Sequence, residues 1–147
     1  MQIYTKFLGP VDITEEQIII FEKGIPGFED ITKYVLLPIQ PESPFATLQS
    51  IEQQEVGFIV SIPFEFKQDY AFDLAEEDIE ELQVTADNDL LTYSIVTLKD
   101  PFETSTINLL APIIINTVKK LGKQIVLQDG ESYPLRFQLN AMEGSAK

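Results

Sequence analysis

No stretch of this chain sustains an apolar pattern beyond the length of a β-strand before a proline, a glycine or a cluster of acids interrupts it. Even the densest run, Leu109 to Ile115, is broken by Pro112. Short β-branched and aromatic segments between turn residues are the signature of strands. They fall at Ile3 to Phe7, Ile18 to Glu22, Val35 to Ile39, Phe45 to Ile51, Val56 to Ile62, Leu91 to Leu98, Thr106 to Leu110, Ile113 to Val118 and Gln124 to Leu127, with an edge strand over Tyr133 to Leu139. Phe45 to Ile51 and Val56 to Ile62 read as a hairpin. The loop between them lacks the glycine of a tight primed turn, so a wider connection is expected. The pattern predicts a mostly β protein: a small antiparallel β-barrel-like or sandwich domain with one or two short helices. Residues 1–140 form a single domain in this reading, and 141–147 a frayed tail.

Local signals refine the picture. Pro26 followed by Gly27 suits a type II turn, since proline presets the first central φ and glycine accepts the positive second one. Glu29 to Tyr34 is read as one helical turn, and Asp69 to Leu74 as extended, with Tyr70, Phe72 and Leu74 alternating against Ala71 and Asp73. One helix stands out. Asp73 and Glu76 form an acidic variant of the capping box. Ala75, Ile79 and Leu82 then share one face, leaving Glu76, Glu77, Asp78, Glu80 and Glu81 to make the rest almost purely acidic. Asp87-Asn88-Asp89 reads as a turn. Asn108 and Asn116 flank the most apolar segment and are expected to satisfy backbone groups at bends, with a groove-shaping role for Asn108 as the alternative. Lys119, Lys120 and Lys123 surround Gly122, which reads as a turn glycine, and suggest internal charge balance.

Charge limits function. Asp and Glu number 24 against ten Lys and Arg, a formal net charge of -14, and ten of the acids lie between Glu65 and Asp89, where Lys67 is the only base. Such concentration opposes compaction but steers association toward a basic partner; a solubility device is the plainer alternative. Phosphate backbones are repelled, so no direct nucleic-acid binding is expected. The chain lacks His and Cys, which removes the commonest general base and metal ligand, the thiolate nucleophile and any disulfide. A glycosidase-type carboxylate pair is the catalytic option left, and with so many acids its spacing arises by chance. A calcium loop starting at Asp87 needs glycine at its sixth position and glutamate at its twelfth. Thr92 and Leu98 stand there. No phosphate-binding glycine loop or nucleophile elbow is present. No cofactor or metal is implied. The N-terminus lacks the pattern of a signal peptide, and no apolar run reaches the roughly 18 residues of a membrane span, so no membrane contact and a cytoplasmic location are expected.

Phe21-Glu22-Lys23-Gly24-Ile25-Pro26-Gly27-Phe28 resembles the F-x-x-G-I-P-G-F signature of the flagellar assembly factor family FliW. Further blocks match in order: Pro44-Phe45 to Leu48-Gln49-Ser50, Phe58 to Pro63 with Asp69-Tyr70, Thr106 to Pro112 running on to Ile115-Asn116, Gly122-Lys123-Gln124 to Leu127, and Tyr133 to Arg136. The resemblance covers about residues 2 to 136. The resemblance implies a non-enzymatic cytoplasmic β-barrel-like domain with two partners. One is flagellin. The other is CsrA, a basic RNA-binding dimer that represses translation of flagellin mRNA. Flagellin and CsrA exclude each other, so secretion of flagellin frees the protein to capture CsrA beside its RNA surface and relieve repression. A charge of -14 complements such a dimer. Glu76, Glu77, Asp78, Glu80 and Glu81 are the expected steering surface, with Asp69 and Asp73 adjoining. Phe45, Phe64 and Phe66 are candidate apolar anchors, core packing being their other role. A flagellin-dedicated chaperone without CsrA control, and a small-molecule-binding barrel or carboxylate hydrolase, are the alternatives.

Overall fold

An eight-residue strand, Leu90–Thr97, closes the sheet on itself. In the computed structural model, which describes residues 1–85 and 89–139, the elements run β1 (Gln2–Tyr4), β2 (Pro10–Asp12), β3 (Ile19–Ile20), β4 (Lys33–Pro38), β5 (Phe45–Ser50), β6 (Gly57–Ser61), α1 (Glu76–Glu81), β7 (Leu90–Thr97), β8 (Thr106–Ile107), β9 (Ile113–Asn116), β10 (Leu121–Gln124) and β11 (Phe137–Gln138). Neighbours in the ring are β7, β6, β5, β4, β3, β10 and β9, and β9 returns to β7 through Leu90↔Asn116 to Tyr93↔Ile113. The upper half of β7 instead carries β8, which carries β11. Among the described residues every strand pairing is antiparallel except β3 with β10, joined at Leu121↔Ile20. The expected mostly β, barrel-like domain is what the chain forms. The 141–147 tail and most of the Asp87-Asn88-Asp89 turn lie outside the described residues.

Alternation along the strands divides the core. On β4, Tyr34 and Leu36 belong to the cluster that contains Phe21, Leu48, Val60 and Ile113. Val35 and Leu37 point the other way, against Ile3 and Ile13 of the β1–β2 hairpin. Gln49 is fully buried between that hairpin and the β5–β6 loop. Its Oε1 accepts the Lys6 amide (2.9 Å), and its Nε2 donates to the Ser50, Gln54 and Val56 carbonyls (2.9, 3.2 and 3.1 Å). This organises the wide, glycine-free loop expected from the sequence.

The type II turn is present: the Phe28 amide donates to the Ile25 carbonyl (2.6 Å) and Gly27 takes φ +92°. Residues 29–34 differ from expectation. Residues 29–30 form a turn and 33–34 already belong to β4, with no helix between them, because Ile31 and Tyr34 are both drawn into the core. Several strands are shorter than their apolar runs, since a strand lasts only while a neighbour can pair with it. β2, opening on Pro10, has no such run in the sequence.

Gly122 is not a turn glycine. It lies inside β10, and the β9–β10 turn falls at 117–120, where Lys120 takes φ +58°. A Cβ on Gly122 would sit 2.4 Å from Cζ of the fully buried Phe21 ring. The ring also meets Tyr34 edge-on, centroids 5.2 Å apart. Overpacking of this kind typically costs about 1–3 kcal/mol. Gly122→Ala should therefore lower the urea midpoint with an unchanged denaturant slope, and a wild-type midpoint would show that Phe21 does not pin this strand.

Candidate partner-binding surface

Between α1, the start of β7 and the segment that precedes α1, an apolar groove of about 720 Å³ opens on the surface. Its first wall is the Tyr70–Leu74 segment. Asp69 lies in the preceding turn, and from Tyr70 burial alternates as expected, with Tyr70 buried, Phe72 and Leu74 half-buried, and Ala71 and Asp73 outward. The Tyr70 hydroxyl donates to the Leu109 carbonyl at 2.6 Å, and burial raises its pKa. The Tyr133 hydroxyl donates to the Ala71 carbonyl at 2.9 Å. The floor includes Leu90, Thr92 and Ile114, and Phe64 stands at one side on the 3₁₀ turn Pro63–Glu65. Three large apolar residues here stay solvent-accessible: Phe64 at 42%, Leu91 at 41% and Ile79 at 38%. A cluster of this sort on a small protein is a feature of binding surfaces.

The other wall is α1 and the turn that ends it. Ala75, with no side-chain cap, occupies the N-cap; the expected Asp73 capping box does not form, because the helix starts two residues later. The C-terminus is a Schellman motif. Gln83 takes φ +53°, its amide donates to the Glu80 carbonyl (3.1 Å), and the Val84 amide donates to the Ile79 carbonyl (3.1 Å). Val84 and Ile79 both line the groove as a result. Of the expected apolar stripe only Leu82 is buried, packed with Ile114 and Ile125. Ala75 and Ile79 face outward, since six residues are too few to lay a long stripe on the barrel.

Polar fastenings make up the difference. Asn116, 1% exposed, donates through Nδ2 to the Leu82 and Gln83 carbonyls (2.8 and 3.3 Å), while its Oδ1 accepts the Val118 and Lys119 amides (both 3.0 Å). Asn108 accepts from the Leu110 and Ala111 amides in the same way, at 3.0 Å each. Both asparagines satisfy bends, as the sequence suggests. Lys123 contacts Asp78 (2.6 Å) and Glu81 (2.7 Å), and Lys23 reaches Glu81 at 2.9 Å. Lys123 thus supplies internal charge balance. Burial disfavours its charge, but the two carboxylates outweigh that and raise its pKa.

The acids of α1 consequently divide into two groups, and the surface is less purely acidic than the sequence suggests. Asp78 and Glu81 are half-buried and matched by lysines. Glu76, Glu77 and Glu80 are exposed, and Asp73 lines the groove beside them. Asp69, also exposed, pairs with Lys67 at 3.0 Å, and that contact lowers its pKa. Among the apolar candidates, Phe64 lines the groove. Phe45 does not; it packs against buried Phe66 and exposed Phe102, ring centroids 6.2 and 6.4 Å away. In the sequence the groove residues Ile62, Leu74 and Leu91 read only as strand or extended positions, and Val84 was not singled out. Among the described residues no cluster of acids is arranged to hold a metal ion, and no helix is long and apolar enough to cross a membrane.

The order and spacing of these elements match one group of proteins. The family model described as "FliW protein" covers residues 2–139. This chain belongs to the FliW family. Relatives named flagellar assembly factor FliW include those of Bacillus subtilis (47% identical, over 88% of this chain and 90% of the relative) and of an Exiguobacterium species (42% identical over the whole of both chains). The structure described as "Crystal structure of the flagellar assembly factor FliW" superposes with a TM-score of 0.88 at 42% identity, covering 95% of this chain and 96% of that one. The FliW signature has a structural counterpart here: Lys23, within Phe21 to Phe28, ties that segment to α1 through Glu81.

Hydrogen bonding from Lys123 and then Lys23 holds the Glu81 pKa down to about 2 from its ordinary 4.5. A depressed carboxylate contributes stability that is complete above the unfolded value and lost as pH falls through the folded one. Stability measured by urea titration between pH 4.5 and pH 2 should therefore decline less steeply in Glu81→Gln than in the wild type. Identical slopes would mean that solvent screens the contact completely.

Proposed function

We propose that this FliW-family chain acts in flagellar assembly as a non-enzymatic cytoplasmic partner switch. It binds flagellin, and when free of flagellin it captures CsrA and relieves repression of flagellin mRNA. The observation that carries the reading is an apolar groove bordered by carboxylates of one sign. Between Lys67 and Lys99 the chain has no basic residue. Phe64, Ile79 and Leu91 supply apolar contact area for a flagellin segment, and Glu76, Glu77 and Glu80 attract a basic dimer from a distance. Because both features share α1, a partner occupying one crowds the other. An acidic face held near an RNA-binding surface also repels phosphate. Among the described residues, the carboxylates with shifted pKa values, Glu29, Asp69, Glu81 and Asp129, are shifted down, opposite to the direction a proton-donating catalytic acid requires.

The apolar groove also favours a second reading, a dedicated flagellin chaperone without CsrA control. Calorimetric titration with purified CsrA, before and after saturation with flagellin, separates the two. The switch gives CsrA binding that flagellin abolishes; the chaperone gives flagellin binding alone. Binding of neither removes both readings.

The charge argument makes a second expectation. Glu76→Lys, Glu77→Lys and Glu80→Lys together should slow CsrA association about tenfold at low salt, with the difference shrinking as salt rises. These positions avoid Asp78 and Glu81, whose charges hold the helix in place. An unchanged association rate in stopped flow would dismiss α1 as the docking face.

A further inference from the structure

The lower half of β7 has one open edge. Side chains on a strand alternate between faces, and successive backbone groups alternate between its two edges. The Asp89 carbonyl accepts the Thr117 amide and the Ile95 carbonyl accepts the Asn108 amide, both at 2.9 Å, so the odd-numbered residues bond toward β9 and β8. Ser94, even-numbered, is paired toward β6. The N–H and C=O groups of Leu90 and Thr92 therefore point to the β6 side. β6 does not reach them. Its pairing with β7 ends at Ser61↔Ser94, and the chain then turns away at Pro63, which has no N–H to donate. Among the described residues no strand pairs with that side of Leu90 and Thr92.

Proteins usually cover or charge an open edge, because it is a template for another chain. Here it opens on the groove, which Ile62, Phe64, Phe72 and Leu74 also line. A docked helix has no free main-chain groups to offer such an edge, whereas an extended segment does. We propose that the groove is a strand-addition site. An extended segment of a partner protein pairs with β7 at Leu90 and Thr92 and seats alternate apolar side chains against Phe64, Phe72 and Ile79. The partner is further defined by charge: Asp73 lines the groove, exposed Glu76 opens the helix beside it, and among the described residues no lysine or arginine lines it, so a segment with a basic residue at its flank is selected. This rests on the partner-binding reading above and names the form in which the partner is held.

The test is amide hydrogen exchange by NMR on the full chain, free and saturated with purified flagellin, with calorimetry on the same samples. In the free protein the Leu90 and Thr92 amides should exchange nearly as fast as an unstructured chain, while Leu91 and Tyr93, bonded to β9, stay protected. Flagellin should slow Leu90 and Thr92 by about tenfold or more. Ile79→Glu, at an exposed position outside the buried clusters, should weaken flagellin binding by about tenfold. Flagellin binding with unchanged exchange at Leu90 and Thr92 overturns strand addition and leaves the partner-binding reading intact. Unchanged affinity in Ile79→Glu likewise overturns the seat proposed here. Absence of flagellin binding overturns both.

Discussion

Four consecutive pairings, Leu90↔Asn116 to Tyr93↔Ile113, turn an open sheet into a ring, and the other features follow from where they fall. Because β7 commits its lower half to β9, its upper half is free to carry β8 and, through it, β11. The same arrangement brings Asn116 to the end of β9 directly beneath the helix, where its amide can hold the Leu82 and Gln83 carbonyls. Ring closure also fixes the separation of β7 from the departing end of β6. The groove is the space left where β6 stops at Ser61 and the chain turns at Pro63.

The helix beside the groove is too short to be stable alone, since a single turn of hydrogen bonds does not offset the cost of nucleation. Its position depends on one buried leucine, one buried asparagine and the lysines that meet Asp78 and Glu81. Exposed ion pairs such as that of Lys23 contribute little, but the two made by Lys123 are half-buried on both sides. Two acids are thereby used to hold the helix and three remain to face outward. That division explains how so acidic a segment is tolerated: its local repulsion is partly neutralised by bases that lie on β10 and in the signature turn.

Features set by local chemistry were legible in the sequence. The Pro26-Gly27 turn, the alternation of Tyr70, Phe72 and Leu74, the hairpin realised as β5 and β6, and the bend-satisfying asparagines depend on residues close together in the chain. Features that depend on distant partners were not. Gly122 looks like a turn glycine until the Phe21 ring is seen lying on it. Ala75 and Ile79 have the spacing of a buried stripe, yet the Schellman turn ends the helix and sends Ile79 to the groove wall. Asp78 and Glu81 resemble their solvated neighbours, and only the fold brings Lys123 to them. The groove belongs to this second class, as its walls come from α1, the segment before it and the turn after it, and its open edge from the place where β6 ends.

The single parallel contact in the ring, Leu121↔Ile20, joins positions separated by most of the chain. Local hairpins such as β4–β5–β6 can form while later residues are still being synthesised, but this seam cannot. Contacts so far apart in sequence are slow to find one another. A growing chain must therefore wait, as a partly assembled sheet with exposed edges, until its last third has emerged from the ribosome and β10 can slide in beside β3.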